Sequence, residues 1–313
     1  MALHQIVVLG GSGFVGRHIV ARLAAEGHRV VVPSRRRENA KHLILLPTVD
    51  VIEADINEPR SLRELLAGAT AVINLVGILN ESGAATFERA HVDVARHLVA
   101  ACPAAGVTRL LQMSALGADP AGPSRYLRTK GQAEAIVTGS DLHWTIFRPS
   151  VIFGPEDSFL NLFARLSRML PVVALAAPHA RFQPVYVGDV AHCFMQALDD
   201  DLTQRARFDL CGPRVYTLEQ LVRYVGEVTG AVRPIIRLGP ALSKLQATML
   251  EFLPGKLMSR DNLLSMQKDN VCDHPFPAVF GITPVALEAV APQYLAPSAR
   301  RSPFDTYRAS GGR

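Results

Sequence analysis

The chain has 313 residues, of which 49% are hydrophobic and 19% charged, and 33 basic residues exceed 28 acidic ones. This composition excludes a disordered chain and is typical of a globular protein with one large or two unequal domains. Apart from Arg35-Arg36-Arg37 and the C-terminal tail, the basic excess is scattered, which argues against a nucleic-acid-binding protein. The first strand begins almost at once and no apolar run reaches roughly 18 residues, which predicts a cytoplasmic protein.

Four cysteines lie far apart in the sequence: Cys102, Cys193, Cys211 and Cys272. They form no Cys-x-x-Cys motif, and no histidine pair stands near them at the spacing of metal ligands. The sequence therefore predicts four buried thiols in a reducing compartment and no metal site.

The stretch from Ile6 to Gly16 carries the strongest motif. The run Ile6–Leu9 predicts a strand buried on both faces, and apolar residues at helical spacing follow from Phe14. Glycines at three-residue intervals between strand and helix allow a tight turn, a close approach to a pyrophosphate and close helix packing. The alternative is an ordinary strand-to-helix turn. We predict a dinucleotide site on the helix N-terminus, with contacts from Gly10, Gly13, Phe14, Val15 and Gly16.

The second predicted strand, Arg29–Pro33, ends without an acidic residue. Units that bind NAD usually carry an acid there for the ribose 2′-hydroxyl, whereas arginine suits a 2′-phosphate. Here Ser34, Arg35 and Arg36 follow the strand, which predicts NADP(H) in preference to NAD(H). The alternative is that these arginines only solvate a loop.

Strands and helices alternate without interruption through the first half of the chain. Pro59 opens a short helix, and a longer amphipathic helix is predicted from Thr86 to Ala105. The alternation predicts a Rossmann-type doubly wound parallel sheet, which binds ligands at the carboxyl ends of its strands. Further strands are predicted at Val49–Glu53, Ala71–Gly77, Arg109–Met113 and His143–Arg148. Further cofactor contacts are therefore expected from Asp55, Ile56, Leu75, Val76, Gly77 and Pro149.

Three polar residues near the fifth strand have the chemistry of a hydride-transfer site. Ser114 ends the strand, and Tyr126 and Lys130 lie four apart at the start of a helix, so they share a face. A tyrosine can move a proton near neutral pH if a nearby ammonium lowers its pKa, and that lysine can also hold the nicotinamide ribose. A serine hydroxyl can bond the substrate oxygen. We predict Ser114, Tyr126 and Lys130 as the catalytic residues.

These motifs together resemble the short-chain dehydrogenase/reductase superfamily, in its extended and atypical branches. Within them the chain looks most like the bacterial relatives of the nucleotide-binding accessory subunit of mitochondrial complex I, a group that includes proteins linked to ubiquinone biosynthesis. The resemblance implies an oxidoreductase or epimerase-like enzyme with a quinone-related or respiratory role. It is carried by G-G-S-G-F-V-G at Gly10–Gly16, N-L-V-G at Asn74–Gly77, Y-L-R-T-K at Tyr126–Lys130, R-P-S-V-I-F-G-P at Arg148–Pro155, V-Y-V-G-D-V-A at Val185–Ala191 and the stretch Met258–Val271.

The sequence also departs from the family pattern. Leu9 stands where extended members usually have threonine, Ser114 precedes Tyr126 by fewer residues than in the sugar-nucleotide epimerases, and His91-Val92-Asp93 replaces an asparagine-bearing segment. The alternative function is therefore a catalytically idle protein that binds NADPH as a structural or regulatory ligand beside a respiratory or quinone-synthesising complex.

The alternation ends after Val151, which predicts a smaller mixed α/β substrate domain. We assign residues 1–150, with 184–200 returning, to the dinucleotide-binding domain, 151–183 and 201–296 to a substrate or lid domain, and 297–313 to a flexible tail. The predicted elements of the second half are the helices Phe159–Met169, Gly188–Leu198 and Leu218–Val228, with strands at Arg181–Tyr186, Phe208–Cys211 and Ile235–Leu238. The substrate is an unidentified small molecule, and the oligomeric state is left open.

A helix predicted from Ala241 to Leu253 carries its large apolar residues on one face: Leu242, Leu245, Met249 and Phe252. The favoured interpretation is a helix packed on its own domain. The alternative is a hydrophobic-substrate gate or a helix on a membrane surface, with Lys244 and Lys256 meeting anionic headgroups. The second interpretation would place the protein peripherally at the inner membrane or beside a respiratory complex.

Overall fold

The computed structural model describes residues 4–251 and 258–296. The chain divides into two compact units. The first unit comprises Met1–Pro149, Val187–Leu210 and Pro277–Ile282, and the second comprises Ser150–Tyr186, Cys211–Phe276 and Thr283–Arg313. The expected tail at 297–313, and Phe252, Leu253 and Lys256 of the expected amphipathic helix, lie outside the described residues.

The described residues form thirteen strands and ten α-helices. The strands are β1 (Gln5–Leu9), β2 (Arg29–Ser34), β3 (Val49–Glu53), β4 (Ala71–Asn74), β5 (Arg109–Met113), β6 (His143–Pro149), β7 (Ile152–Phe153), β8 (Val173–Leu175), β9 (Arg181–Phe182), β10 (Val185–Tyr186), β11 (Ala206–Leu210), β12 (Tyr216–Thr217) and β13 (Ile235–Arg237). The helices are α1 (Phe14–Ala25), α2 (Pro59–Leu66), α3 (Val94–Ala104), α4 (Arg125–Thr138), α5 (Phe159–Met169), α6 (Val187–Asp199), α7 (Leu218–Thr229), α8 (Pro240–Glu251), α9 (Arg260–Ser265) and α10 (Leu287–Leu295).

The first unit is built on a seven-stranded parallel sheet in the order β11-β6-β5-β4-β1-β2-β3. The chain moves one way from β1 to β3 and then returns past β1 to β4. The carboxyl ends of β1 and β4 therefore border the topological switch point, where doubly wound sheets bind ligands. The predicted fold class is confirmed.

Alternating side chains of the strands cover both faces of this sheet. Val7 and Leu9 of β1 pack in one core cluster with residues of α2, α3 and α4. On the opposite face Phe147 of β6 packs against Phe194 of α6, with ring centroids 4.3 Å apart, and α6 contacts α1. Each such apolar side chain contributes about 1.5–3 kcal/mol when fully buried. The strands are therefore fixed from both sides, and their carboxyl ends are rigid supports for a site.

Two details of the first unit differ from the sequence predictions. The strand expected at Phe208–Cys211 in the smaller domain is β11, which pairs in parallel with β6 and extends the main sheet. The sequence of β11 contains the exposed Arg207 and does not look like a strand of a buried parallel sheet. Only its pairing with β6 shows that it belongs to the main sheet. The helix expected from Thr86 to Ala105 begins instead with a π-helical turn at Glu88–Asp93 and continues as α3.

The second unit has a core of its own. Leu160 and Ala164 of α5 pack with Leu221 and Val225 of α7, and Ala291 of α10 lies in the same cluster. The helix predicted at Phe159–Met169 has those bounds in the structure. The strand expected at Arg181–Tyr186 is divided into β9 and β10, which pair with β12 and β7 respectively.

The prediction of four free thiols is wrong for two of the cysteines. Cys211 and Cys272 form a disulfide in the second unit, although 61 positions separate them in the sequence. The Gln183 side chain holds the same two segments together, because it accepts from the Cys272 amide at 3.0 Å and donates to the Gly212 carbonyl at 2.7 Å. Spacing alone does not reveal such a pair. Cys102 and Cys193 are buried free thiols, as predicted.

The favoured interpretation of the helix at Ala241–Leu253, packing on its own domain, holds for its small residues and not for its large ones. Helix α8 buries the small residues Ser243 and Ala247, while Leu242, Leu245 and Met249 are 56%, 55% and 64% exposed. Its large apolar side chains thus face solvent. Among the described residues, no helix is long and apolar enough to cross a membrane.

Candidate functional site

The turn between β1 and α1 is a cradle formed by backbone. Gly10 has a left-handed φ of +75°, and a Cβ there would lie 3.1 Å from the Leu75 carbonyl carbon. A Cβ at Gly16 would lie 2.3 Å from the Gly10 oxygen, and one at Gly13 would lie 3.2 Å from the same oxygen. Only glycine satisfies the left-handed turn and the close packing at Gly16 without strain. The turn therefore has the shape that a diphosphate requires.

The first turn of α1 offers its amides to this cradle. Gly13 is the N-cap residue in extended conformation, and in the described part of the chain no side chain caps the helix. Phe14 and Val15 begin the helix, and the helix has no acidic residue in its first turn. Unsatisfied amides and the positive end of the helix dipole favour an anion at this position. The cradle therefore fits the pyrophosphate of a dinucleotide.

The loop after β4 borders the cradle at the switch point. The Leu75 amide donates to the Leu9 carbonyl at 2.9 Å, and the Val76 amide donates to the Asn74 side chain at 3.1 Å. These bonds hold Leu75, Val76 and Gly77 against the end of β1. A Cβ on Gly77 would lie 3.1 Å from the Lys130 Nζ. The structure thus brings the glycine turn and the lysine of the predicted catalytic set to adjacent strand ends.

The end of β2 places positive charge at the carboxyl-end edge of the sheet, where the glycine turn also lies. Arg35 and Arg36 are exposed and directly follow the buried Ser34, whose hydroxyl donates to the Arg36 carbonyl at 2.8 Å. Asp55 lies after β3, where hydrogen bonds from Asn57 lower the pKa of its carboxyl, and nearby arginines, including Arg35, act in the same direction. The remaining predicted contacts, Ile56 and Pro149, are half-buried and buried, respectively, at the ends of β3 and β6.

Helix α4 carries the tyrosine and the lysine toward the ends of β4 and β5. Ser124 caps the helix by accepting from the Leu127 amide, which fixes where the helix begins. Lys130 is 3% exposed, and its Nζ donates to the Met113 carbonyl at the end of β5 at 3.2 Å. Burial lowers the pKa of Lys130 to about 8, and the Glu134 carboxylate acts in the opposite direction. The Lys130 ammonium therefore lies between the ends of β4 and β5. Its pKa of about 8 is close to neutral pH.

Tyr126 lies among aromatic rings. The ring of His91 is 5.5 Å from the Tyr126 ring and that of Phe87 is 5.9 Å away, both edge to face. Burial raises the pKa of Tyr126 to about 12, because the phenolate loses its hydration. The expectation that Lys130 lowers this pKa is therefore wrong for the protein itself. At neutral pH the Tyr126 side chain is therefore protonated.

His91 comes from the π-helical turn and is buried beside the lysine. Its Nε2 accepts from the Ile78 amide at 3.3 Å, so its Nδ1 carries the proton and donates to the Thr129 hydroxyl at 2.9 Å. Burial, with the Lys130 charge, lowers the pKa of His91 to about 2. The imidazole is therefore neutral, with both nitrogens engaged.

Ser114 is oriented by a buried carboxylate. Its hydroxyl lies 2.5 Å from Oε1 of Glu134, and Arg148 binds the same carboxylate through Nε at 2.8 Å and Nη2 at 2.5 Å. Arg207 adds an ion pair at 3.4 Å. A carboxylate only accepts hydrogen bonds, so Ser114 is the donor to Glu134. Ser114 after β5, Arg148 of β6 and Arg207 of β11 thus converge on one side chain of α4.

Sequence reasoning missed Glu134 as part of this site, and it treated His91 only as a departure from a pattern. A signal for Glu134 exists, since Tyr126, Lys130 and Glu134 recur every four residues and therefore share one helix face. The partners Arg148 and Arg207 come from distant strands, and no local pattern connects them to α4.

Comparison with known proteins gives the same family. A sequence family described as NAD(P)H-binding matches residues 10–159. The NADH dehydrogenase [ubiquinone] 1 alpha subcomplex subunit 9, mitochondrial, of Arabidopsis thaliana is 34% identical over 80% of this chain and 64% of its own length. The mitochondrial NADH-ubiquinone oxidoreductase 40 kDa subunit of Neurospora crassa is 31% identical over 86% of this chain and 72% of its own. The chain thus spans less than two thirds of the plant relative.

Another similar protein is named as an enzyme. The ceramide reductase of Caulobacter vibrioides is 32% identical over 74% of this chain and 73% of its own length. Among solved structures, a dTDP-glucose 4,6-dehydratase double mutant from Streptomyces venezuelae with NAD bound superposes with a TM-score of 0.73 at 17% identity, over 93% of this chain and 95% of that one. This protein therefore belongs to the extended and atypical branch of the NAD(P)-binding short-chain dehydrogenases/reductases, in the group that contains the 40 kDa accessory subunit of complex I.

Proposed function

We propose that this protein is an NADP(H)-dependent oxidoreductase that reduces the carbonyl group of an unidentified small molecule. The observation that carries the proposal is the position of Lys130, whose Nζ lies beside the Met113 carbonyl and beside Gly77 at the switch point. A nicotinamide ribose at that point would meet an ammonium. The glycine cradle at Gly10, Gly13 and Gly16 would hold the diphosphate of the same cofactor.

The bound cofactor supplies a hydride, and the side chains supply the proton and the orientation. Tyr126, as a phenol at neutral pH, donates its proton to the substrate oxygen as the carbonyl is reduced. Lys130 holds the ribose hydroxyls and so orients the nicotinamide beside Tyr126. Because burial raises its pKa, Tyr126 is protonated at neutral pH, which is the state that a proton donor must have before the carbonyl is reduced.

Ser114 is the second contact to the substrate oxygen in this proposal. In the structure its proton points to Glu134, so its oxygen lone pairs are available to a hydroxyl, as in an alcohol product. Donation to a carbonyl requires the hydroxyl to rotate away from the carboxylate. Glu134 thus positions Ser114 without touching substrate itself.

The preference for NADP(H) over NAD(H) rests on Arg35 and Arg36. Both are exposed at the end of β2, where they can pair with a 2′-phosphate. The double variant Arg35→Ala/Arg36→Ala should weaken NADPH binding about 100-fold or more and leave NADH binding almost unchanged, since each of the two charged hydrogen bonds contributes about 1.5 kcal/mol or more. Titration of both nucleotides measures this. Equal loss of both would contradict the assignment, and Arg60→Ala, exposed on α2, is the matched control.

The catalytic role is tested by Tyr126→Phe, with Gly13→Val as the comparison. Tyr126→Phe should keep NADPH affinity within about twofold, because the phenol lies outside the cradle, and should abolish rescue of a strain that lacks the gene. Gly13→Val should remove both properties. Rescue by Tyr126→Phe at the wild-type level would contradict catalysis by this residue.

That outcome would support the second candidate, an NADPH-binding structural subunit of a respiratory or quinone-synthesising assembly. Two observations favour it. Relatives covering most of this chain are named as subunits of a respiratory complex, and the Ser114 hydroxyl is bound to Glu134. In that case function follows NADPH binding, so it should survive Tyr126→Phe and fail with Gly13→Val.

A further inference from the structure

The disulfide of the second unit lies outside the apolar core of that unit. Leu160 of α5 and Leu221 of α7 belong to this core cluster, which among the described residues includes neither Cys211 nor Cys272. Side chains of α10 complete the cluster. Because burial of apolar side chains is the main source of stability in such a unit, we expect it to stay folded when the disulfide is reduced.

The segment that ends at Cys272 supports the connection between β6 and β7. Two positions before the cysteine, the side-chain oxygen of Asn270 accepts from the hydroxyl of the buried Ser150 at 2.6 Å and from the Val151 amide at 3.0 Å. Ser150 and Val151 directly follow Pro149, which is an expected cofactor contact. The position of residues 150 and 151 therefore depends on the segment that the disulfide ties.

Hydrogen bonds of Gln183 hold the two cysteine segments in register without the disulfide. Its Oε1 accepts from the Cys272 amide at 3.0 Å, and its Nε2 donates to the Gly212 carbonyl at 2.7 Å. The Gly212 amide donates in turn to the backbone oxygen of Gln183 at 3.2 Å. Gly212 directly follows Cys211, so these bonds keep the two cysteines near each other after reduction. The disulfide can therefore form again in the folded protein.

The four cysteines differ in their access to an external thiol. Cys272 is half-buried, whereas Cys211 is 3% exposed, so an attacking thiolate reaches the sulfur of Cys272 first. Cys102 and Cys193 are fully buried, and the loss of hydration raises the pKa of both thiols, that of Cys102 to about 12. A thiol exchanges only as its thiolate. Exchange is therefore confined to the pair that forms the disulfide.

We propose that Cys211 and Cys272 are a reversible thiol–disulfide switch, which dithiols reduce and which, through Asn270, sets the mobility of residues 150 and 151. In the disulfide form the cross-link holds Asn270 against these two residues. In the dithiol form only hydrogen bonds hold the Asn270 segment, so it opens more often and residues 150 and 151 lose their support. A redox change thus becomes a change in local hydrogen bonding, as in other redox-sensitive proteins.

The reduction step transfers two electrons from the dithiol to the disulfide. A thiolate of the dithiol attacks the Cys272 sulfur, the bond between the two cysteine sulfurs breaks, and Cys211 leaves as a thiolate. The second thiol of the dithiol, after losing its proton, attacks the mixed disulfide and releases Cys272 as a thiolate. The two cysteine thiolates take up the two protons that the dithiol has lost, and the dithiol becomes a disulfide. The reverse exchange with an oxidised dithiol restores the link.

Thiol labelling and hydrogen exchange on the full chain test the switch without any substrate. Dithiothreitol, a small dithiol, should make Cys272 of the folded protein reactive toward a maleimide, and later addition of oxidised glutathione should restore the unreactive state. On reduction, amide exchange should become about 100-fold faster at residues 268–273 and about tenfold faster at residues 150–152. Exchange in α7 of the same unit should change by less than about twofold.

Three variants separate the link from its effect. Cys211→Ser/Cys272→Ser should show the fast exchange without reductant, and dithiothreitol should not change it further; if this variant does not fold, reduced and alkylated wild-type protein supplies the same state. Asn270→Ala should make exchange at residues 150–152 fast in both redox states, while residues 268–273 still respond to the reductant. Cys102→Ala is the matched control, because it removes a buried free thiol and should keep the wild-type response.

The effect of the switch on the cofactor rests on the proposed function. Reduction should weaken NADPH binding about fivefold, because a mobile chain next to Pro149 must be ordered when the nicotinamide end of the cofactor binds. Absence of NADPH binding in both redox states would contradict the proposed function alone, since labelling and exchange still decide whether the switch exists.

Three outcomes overturn the switch. A disulfide that dithiothreitol reduces only after the protein is unfolded is a structural cross-link. Reduction that leaves exchange at residues 150–152 unchanged shows that the link does not control that connection. A response to dithiothreitol that persists in Cys211→Ser/Cys272→Ser arises elsewhere in the chain.

Discussion

The glycine turn and the polar cluster around α4 are two parts of one candidate site, and they are built in different ways. The turn uses backbone alone: Gly10, Gly13 and Gly16 shape it at the N-terminus of α1, where helix amides can bind an anion. The cluster uses side chains from distant parts of the chain, with Glu134 accepting from Ser114 and Arg148. The geometry of the glycine turn depends on a few neighbouring residues of the chain. The geometry of the cluster depends on every side chain that binds Glu134.

This difference affects how each part fails. In the turn an added methyl group displaces the backbone atoms that would bind phosphate, so binding should be lost while distant side chains are unaffected. In the cluster the removal of one charge leaves buried partners without compensation, so stability should fall together with the orientation of Ser114. The predictions below test this contrast.

The largest effect is expected from Gly16→Ala. The new Cβ would lie 2.3 Å from the Gly10 oxygen and 2.6 Å from the Gly11 Cα, so the turn must shift. A shift that breaks two amide contacts to a phosphate should weaken NADPH about a hundredfold or more, measured by calorimetric titration. Gly239→Ala is the control, because a Cβ there would meet nothing within 4 Å. Unchanged affinity in Gly16→Ala would mean that the cofactor does not use this turn.

Glu134→Gln should act mainly on stability. The carboxylate is 3% exposed and is shared by Arg148, Arg207 and Ser114, so its neutralisation removes the counter-charge of the partly buried Arg148 and of the exposed Arg207. We expect a loss of about 3 kcal/mol in the free energy of unfolding, measured by urea denaturation. NADPH affinity at neutral pH should change much less than in Gly16→Ala, because the glycine turn does not involve this residue.

The matched control for that variant is Glu219→Gln. Glu219 also binds two arginines, Arg223 and Arg237, but it lies in the second unit and its partners are largely exposed. Its loss should be smaller, since exposed pairs contribute little. Equal losses in the free energy of unfolding of the two variants would show that the ion pairs of Glu134 stabilise the protein no more than the exposed pairs of Glu219 do.

The sequence was sufficient for the parts of the fold that depend on local pattern. The sequence places the buried strand Arg109–Met113 and the partly exposed edge strand Val49–Glu53 with their observed bounds, because runs rich in apolar and β-branched residues between turns are a direct signal. The glycine turn was predictable for the same reason, since conformational requirements at Gly10 and Gly16 belong to those residues themselves.

What could not be predicted depends on contacts between distant segments. The pairing of β11 with β6, and the disulfide between Cys211 and Cys272, join residues that no local period connects. The pKa of Tyr126 was expected to fall because Lys130 is near in sequence, but burial among rings raises it. The helix period shows which charged residues lie near a tyrosine on the same helix. The loss of hydration of its hydroxyl depends on the packing of the whole fold, which the sequence does not show.

The smallest effect concerns His91, and it appears only as a dependence on pH. The pKa of His91 is lowered to about 2 in the folded protein, mainly by burial, and is about 6.5 in an unfolded chain. Between these values the unfolded state binds a proton that the folded state excludes. The contribution of His91 to stability is therefore fully present above about pH 6.5 and is lost progressively as the pH falls, by up to about 1.4 kcal/mol per pH unit.

Urea midpoints measured from about pH 7.5 to about pH 5 should therefore fall less steeply in His91→Gln than in the wild type, because glutamine does not titrate. Glutamine can still accept from the Ile78 amide and donate to Thr129, which limits the loss of stability at neutral pH. His179→Gln, at an exposed position of the second unit, should keep the wild-type slope. If His91→Gln and the wild type show the same slope, the imidazole is not held neutral, and the cluster around Lys130 is more hydrated than the hydrogen bonds of His91 indicate.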